Sequence, residues 1–232
     1  MKSQFKEKHY ITRSNWLRAA VLGANDGILS TASIAIGVAS AGSNRDAIVL
    51  AAMAGLVAGG LSMAAGEYVS VSSQADLEQS DLEREKWELD NIPDIELNEL
   101  AEIYRQRGLN KDTAWQVAQQ LTAHNALEAH ARDELGIMDM NAANPLQAAI
   151  ASGAAFTIGG VLPLMVALFF PMTSMIYTQY GFAIVALILL GLISARTGGS
   201  NVFKAIIRIT FWGTIAMGIT ALVGYLFNIN VG

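Results

Sequence analysis

The sequence predicts an all-α membrane protein with five transmembrane helices and a cytoplasmic helical bundle inserted between the second and the third. Three observations carry that prediction. Apolar residues make up 53% of the 232-residue chain and charged residues only 15%, against about 25% charged in an ordinary soluble protein. The uncharged residues fall in runs long enough to cross a hydrocarbon core of about 30 Å at 1.5 Å per residue. The remaining charge is segregated: residues 76–139 hold 16 Asp/Glu against 6 Lys/Arg, net -10, while everything else holds 4 against 9, net +5. A disordered chain or a nucleic-acid binder is excluded, because the first needs few apolar residues and the second an excess of Lys and Arg.

The spans follow from the runs. Trp16 to about Ala41 is apolar apart from Arg18 at its edge and Asn25-Asp26 inside. Ala39-Ser40-Ala41 resembles a signal-peptide cleavage site, but an acid within the apolar region is wrong for such a segment. Ala47–Gly66 supplies 20 uncharged residues, Met140–Ala195 supplies 56, and Ile209–Gly232 supplies 24. The 56 are too many for one crossing, and Pro171-Met172-Thr173-Ser174 divides them in two. The expected organisation is therefore an N-terminus over 1–15, spans one and two over 16–75, an acidic domain over 76–139, and spans three to five over 140–232.

Lys/Arg bias sets orientation. Lys2, Lys6, Lys8, Arg13 and Arg18 precede or open span one, six more basic residues lie in the acidic block, and Arg196, Lys204 and Arg208 lie between spans four and five. The opposite side has only Arg45. The N-terminus and the acidic domain are accordingly expected in the cytoplasm and the C-terminus outside. The short N-terminus fits a prokaryotic inner membrane. Trp16, Tyr177, Tyr180, Trp212 and Tyr225 near span ends read as interfacial anchors in contact with lipid.

Two carboxylates are out of place in lipid. Asp26 sits about ten residues into span one, where insertion costs roughly 2.5–3.5 kcal/mol and a functional role is the default reading. Gly23, Gly27 and Ser30 within one turn suggest accessible backbone beside it. On span two, Gly55, Gly59, Met63 and Glu67 recur at i, i+4, i+8 and i+12 and form one ridge: two glycines for close helix approach, then a thioether and a carboxylate. Asp26, Met63 and Glu67 together outline a path for a cation.

Within the insertion, span two runs without a breaker until Pro93. Asp94 is expected to cap a helix with the stripe Leu97, Leu100, Ala101 and Tyr104, ending near Gly108. Asn110 caps the next, with Ala114, Val117, Ala118 and Leu121, and a last segment runs from Ala126 to Leu135, ending at Gly136. Ligand spacings recur on these helices: Glu85 with Glu88 and Glu96 with Glu99 at i, i+3, and His130 with Glu134 at i, i+4, so each pair can reach one ion. Oxygen donors and one imidazole, with no Cys in the chain, favour Fe²⁺, Mn²⁺, Zn²⁺ or Co²⁺ over Cu(I). His124 and His9 have no such company. No phosphate loop, nucleophile elbow or H-E-x-x-H motif is present, so the chain is not expected to be an enzyme and no prosthetic group is implied.

Gly23-Ala24-Asn25-Asp26-Gly27, the stretch from Ser62-Met63 through Gly66-Glu67-Tyr68 to Ser73-Gln74, the acidic insertion and Asn144-Pro145-Leu146-Gln147 together resemble the vacuolar iron transporter family, in the form that carries a metal-binding insertion. The resemblance covers nearly the whole chain. It implies a homodimer with five spans per subunit, a path between subunits lined by the first two helices, and exchange of Fe²⁺ or Mn²⁺ for protons. By position, Asp26 and Met63 match ion-path residues, Glu67 lies in the same motif, and Glu85, Glu88, Glu96, Glu99 and Glu134 match cytoplasmic metal ligands. His130 stands where plant members are expected to carry methionine, a softer donor, which leaves metal preference open. Two alternatives remain at this level: a membrane-anchored metal buffer or sensor that moves nothing, and a di-iron oxidase built in the bundle.

Overall fold

The computed structural model describes residues 14–137 and 144–231. Lys2, Lys6, Lys8, His9 and Arg13, and Met140 at the expected start of span three, lie outside them. Among the described residues seven α-helices run in order: α1 Ser14–Ser40, α2 Arg45–Asn91, α3 Pro93–Gln106, α4 Lys111–Asp133, α5 Pro145–Phe169, α6 Met175–Gly198 and α7 Val202–Val231, with a 3-10 turn at Met172–Ser174. Among the described residues there is no strand, and five helices are long and apolar enough to cross a membrane: α1, α2, α5, α6 and α7. The chain divides into two compact units, one made of the helices up to Tyr68 and from Pro145 on, the other of the segment from Val69.

The span boundaries differ from the uncharged runs where charge and helix end part company. α7 begins at Val202 rather than Ile209, because Lys204 and Arg208 terminate an apolar run without breaking a helix. α6 continues past Arg196 until Gly199, whose φ of 66° is left-handed and suits a residue without Cβ.

Small residues set the packing of the membrane-spanning unit. α1 lies so close to α5 that a methyl on Gly27 would sit on the carbonyl of Phe156, and one on Gly159 on that of Ala24. Without a hydrophobic drive between helices in lipid, such backbone approach supplies the dispersion that holds them. This corrects the expectation for Gly23 and Gly27: both are buried against α5 and do not open the backbone beside Asp26, which one residue's 100° rotation turns to another face. The start of α2 joins the same core, with Ile48, Ala52 and Leu56 packed among Ala35, Phe156, Leu164 and Met175.

Arg45, the lone basic residue expected on its side, has a structural task. Its guanidinium donates to the carbonyls of Ala167 (3.2 Å), Leu168 (2.5 Å) and Phe170 (2.6 Å) at the end of α5. Terminal carbonyls of a helix have no intrahelical donor, and a cation there also meets the negative end of the helix dipole. The contact puts the α1–α2 and α5–α6 connections on one side of the unit, as alternating spans require.

Hydrogen bonds to a charged group are worth about 1.5–3 kcal/mol. Arg45→Ala is therefore expected to lower stability by about that amount in an SDS-titration unfolding experiment, with Arg45→Lys recovering part of it. Wild-type stability in Arg45→Ala would remove this contact from the account of the fold.

Candidate metal centre and membrane cavity

The acidic unit is built around a small core. Leu100, Ala118 and Ala129 are buried, with Leu97, Ala101, Tyr104 and Leu121 packed against them. Its turns bring distant carboxylates together. α2 ends at Asn91 and α3 begins at Pro93, so Ile92 alone links them. Pro93 stands at the first helical position, where its missing N–H costs nothing. The expected cap Asp94 instead lies inside the first turn, because the proline starts the helix one residue earlier. Asn110 does cap α4, accepting from the Thr113 N–H at 2.9 Å. As expected, two segments lie here: the backbone leaves the helical region at Asn125 (φ -163°, ψ 94°), which breaks α4 in two. The Asn125 side chain accepts from the Glu128 N–H at 3.2 Å and so restarts the helix.

The kinked end of α4, the first turns of α3 and the middle of the acidic part of α2 meet at one point. Glu85, Glu96, His130 and Glu134 each offer a donor atom, and all four atoms lie within 4.8 Å of one another. His130 Nδ1 is 3.0 Å from Glu85 Oε1, 3.0 Å from Glu134 Oε2 and 3.7 Å from Glu96 Oε2. His130, Glu85 and Glu96 are 0%, 2% and 3% exposed, while Glu134 faces solvent in part. Of the six expected ligands, two stand apart. Glu88 accepts from Arg84 Nε at 3.0 Å, and Glu99 is exposed. Residues at i and i+3 are offset by about 60° around a helix, and this unit buries only one glutamate of each pair.

The cluster is short of partners. Glu85 Oε1, Glu96 Oε2 and His130 Nε2 are buried and make no hydrogen bond. One proton on Nδ1 can serve only one of the three carboxylates that converge on it. A divalent cation would satisfy them together, and hard oxygens with one imidazole suit Fe²⁺, Mn²⁺ or Zn²⁺. Burial first, then the charges of Glu134, Glu96 and Glu88, push the Glu85 carboxyl up to about 7 against the opposing pull of His130. Glu96 is likewise raised, by burial and then by Glu99. A cavity of about 970 Å³ in this unit, lined by Asn98, Arg105, Lys111 and Trp115 among others, contains none of these residues.

In the membrane-spanning unit a cavity of about 310 Å³ brings Asp26, Met63 and Glu67 together, with Leu22 and Ser30 from α1, Gly55, Gly59, Ser62 and Gly66 from α2, and Phe156 from α5. The ridge Gly55, Gly59, Met63 and Glu67 forms one wall, facing Leu22, Asp26 and Ser30 at their own i, i+4, i+8 spacing. Gly55 gives room to the end of Ile34, and Gly59 to the ring of Phe156. Ser30 Oγ donates to Asp26 Oδ1 at 2.7 Å. Sequence reasoning named Ser30 only as a small neighbour, though its i+4 offset from Asp26 announces the bond. It missed Ser62 and Phe156, the latter reachable only through tertiary packing.

These features define an all-α integral membrane protein carrying a buried carboxylate–imidazole group able to hold a metal ion. The chain belongs to the VIT family, whose sequence profile matches residues 17–225. It is 44% identical to the vacuolar iron transporter of Acanthamoeba castellanii (strain ATCC 30010 / Neff), over 95% of this chain and 82% of that protein. It is 35% identical to vacuolar iron transporter homolog 2 of Oryza sativa subsp. japonica, covering 94% and 93%, and 32% identical to vacuolar iron transporter homolog 2.1 of Arabidopsis thaliana, covering 94% and 84%.

The raised carboxyl of Glu85 makes the metal-free acidic unit sensitive to pH. A group whose folded pKa exceeds its unfolded value of about 4.5 contributes stability that is complete below that value and lost as pH rises through about 7. Asp133, held down at about 2 by Tyr104, Arg107 and Arg132 despite its burial, does not offset this, since its contribution fades only as pH falls toward 2. Amide-exchange protection in α3 and α4 of chelator-treated protein is expected to fall between pH 5 and pH 8, after correction for intrinsic rates. Mn²⁺ should restore it at pH 8. Protection that grows with pH in the metal-free protein would contradict this.

Proposed function

We propose that the protein is a divalent-metal transporter that carries Fe²⁺ or Mn²⁺ out of the cytoplasm in exchange for protons. The observation that carries this reading is the cavity in which Asp26, Met63 and Glu67 come together inside the membrane-spanning unit. A metal buffer needs only the acidic cluster and has no use for an acid and a thioether within lipid-spanning helices. The names of the relatives supply iron as the first substrate to test.

In this mechanism the acidic unit collects cytoplasmic cations, its net negative charge raising their local concentration. Glu85, Glu96, His130 and Glu134 hold the ion, and Glu88 and Glu99 add field at the margin. On the membrane path, Met63 offers a polarisable sulfur that binds weakly enough to let go, and Asp26 and Glu67 offer charge. A carboxylate in a dry path carries a proton or shares a metal, and does not do both well. Alternating occupancy at Asp26 and Glu67 couples metal leaving the cytoplasm to protons entering it.

Orientation follows from Arg196, Lys204 and Arg208, exposed at the α6–α7 corner, which the Lys/Arg bias assigns to the cytoplasmic side. The acidic unit shares that side and the C-terminus lies opposite. Membership of the VIT family is what supports a homodimer with the path between its subunits.

Asp26→Asn is expected to reduce Fe²⁺ or Mn²⁺ uptake into inside-out vesicles under a pH gradient at least tenfold. Metal binding by the acidic unit should stay at wild-type level. Undiminished proton-coupled flux in that variant would refute the transport path, and flux absent from the wild-type protein would return the buffering alternative.

A further inference from the structure

We infer that Asp133 is a positioning residue for the metal cluster: clamped by Tyr104, Arg107 and Arg132, it pins the last turn of α4 to α3 and so holds the Glu134 carboxylate at His130. This rests on the reading of Glu85, Glu96, His130 and Glu134 as metal ligands, and it adds a residue that touches no ion.

Asp133 is an acid in a strongly acidic unit, yet its side chain is only 7% exposed. Three donors from two helices satisfy it. Tyr104 Oη donates to Oδ2 at 2.6 Å, Arg107 Nη1 to Oδ1 at 2.6 Å, and Arg132 Nη2 to Oδ2 at 3.1 Å. Arg107 reaches further: its Nη2 donates to the Asp133 carbonyl at 3.1 Å. That carbonyl belongs to the peptide joining Asp133 to Glu134. One guanidinium therefore grips both the Asp133 side chain and the backbone on which Glu134 is mounted. The clamp is itself seated, since Tyr104 packs on the bundle core and the Arg107 guanidinium lies 5.3 Å from the centre of the Tyr104 ring.

Glu134 needs such a hold more than the other ligands. It is the C-cap of α4, where helices fray, and it is the least buried of the four. Its N–H bond to the His130 carbonyl, 2.9 Å, fixes the turn but not the side chain. Repulsion from Glu85 and Glu96 drives its carboxylate toward water whenever no cation is held. The clamp opposes that escape, keeping three carboxylates assembled before the ion arrives. Groups that orient a ligand without touching the metal commonly contribute 10–100-fold to affinity.

The test is a calorimetric titration of the full-length protein in detergent with Mn²⁺ alone, taking as cluster binding the signal that Glu85→Gln removes. Asp133→Asn is expected to weaken that binding about 10–100-fold, and Tyr104→Phe and Arg107→Gln to act in the same direction. In a Glu134→Gln background, Asp133→Asn should add less than about twofold, because its effect is spent through Glu134. Unchanged affinity in Asp133→Asn overturns the inference, and so does an equal loss in both backgrounds, the signature of a residue that serves α4 folding alone. Should circular dichroism show that Asp133→Asn does not fold, Tyr104→Phe and Arg107→Gln carry the same two-background comparison. If wild-type protein and Glu85→Gln titrate alike, the ligand reading fails and this inference with it, a result distinct from either of the others.

Discussion

Carboxylates held away from water without enough partners are what the chemistry of this protein depends on. An ionised carboxylate taken out of water is costly unless paired or coordinated. In the acidic unit two glutamates and a histidine are buried almost completely, and three of their polar atoms have no hydrogen bond. A unit whose core consists largely of alanine and leucine cannot offset that cost by packing alone. The same groups are an asset once a cation arrives, since the attraction of several carboxylates for one ion grows in the environment that makes them repel each other. On the metal-binding reading, stability and binding are thus set against each other.

The membrane-spanning unit handles its acid differently. Asp26 is only half-buried within the chain and receives a hydrogen bond from Ser30 on its own helix. Of the glycines that line its cavity, Gly66 faces open space, while Gly55 and Gly59 make room for Ile34 and Phe156. A site that must release an ion gains from partial solvation, just as a site that must accumulate one gains from burial. On the reading proposed above, the two environments suit two roles, storage in one unit and passage in the other.

Much of this was readable from residue order. Five spans follow from uncharged runs, and the ridge through Gly55, Gly59, Met63 and Glu67 follows from a four-residue period that the structure places along one cavity wall. The pairs at i, i+3 and i+4 located every residue of the cluster. They could not say which member of a pair turns inward, because that depends on the one-residue link at Ile92 and the kink at Asn125, which fix rotation rather than spacing. The α1–α5 contact was hidden for a related reason. Gly23 and Gly27 look like room beside Asp26 when only sequence distance is considered, but their faces belong to α5. The Asp133 clamp joins residues 26 and 29 positions apart, and no local pattern announces it.

Arg45 shows how a topological rule and a local need can be met by one residue. On the orientation proposed above Arg45 lies on the non-cytoplasmic side, where Lys/Arg bias disfavours a cation, so a basic residue there calls for compensation. The α5 C-terminus supplies it with three carbonyls that would otherwise lack donors as α5 gives way to the turn before α6. The charge is neutralised in effect by a helix end, and the pairing also fixes which two connections lie together. An arginine rather than a lysine fits here because three carbonyls spread over four residues need a planar fork with several N–H groups.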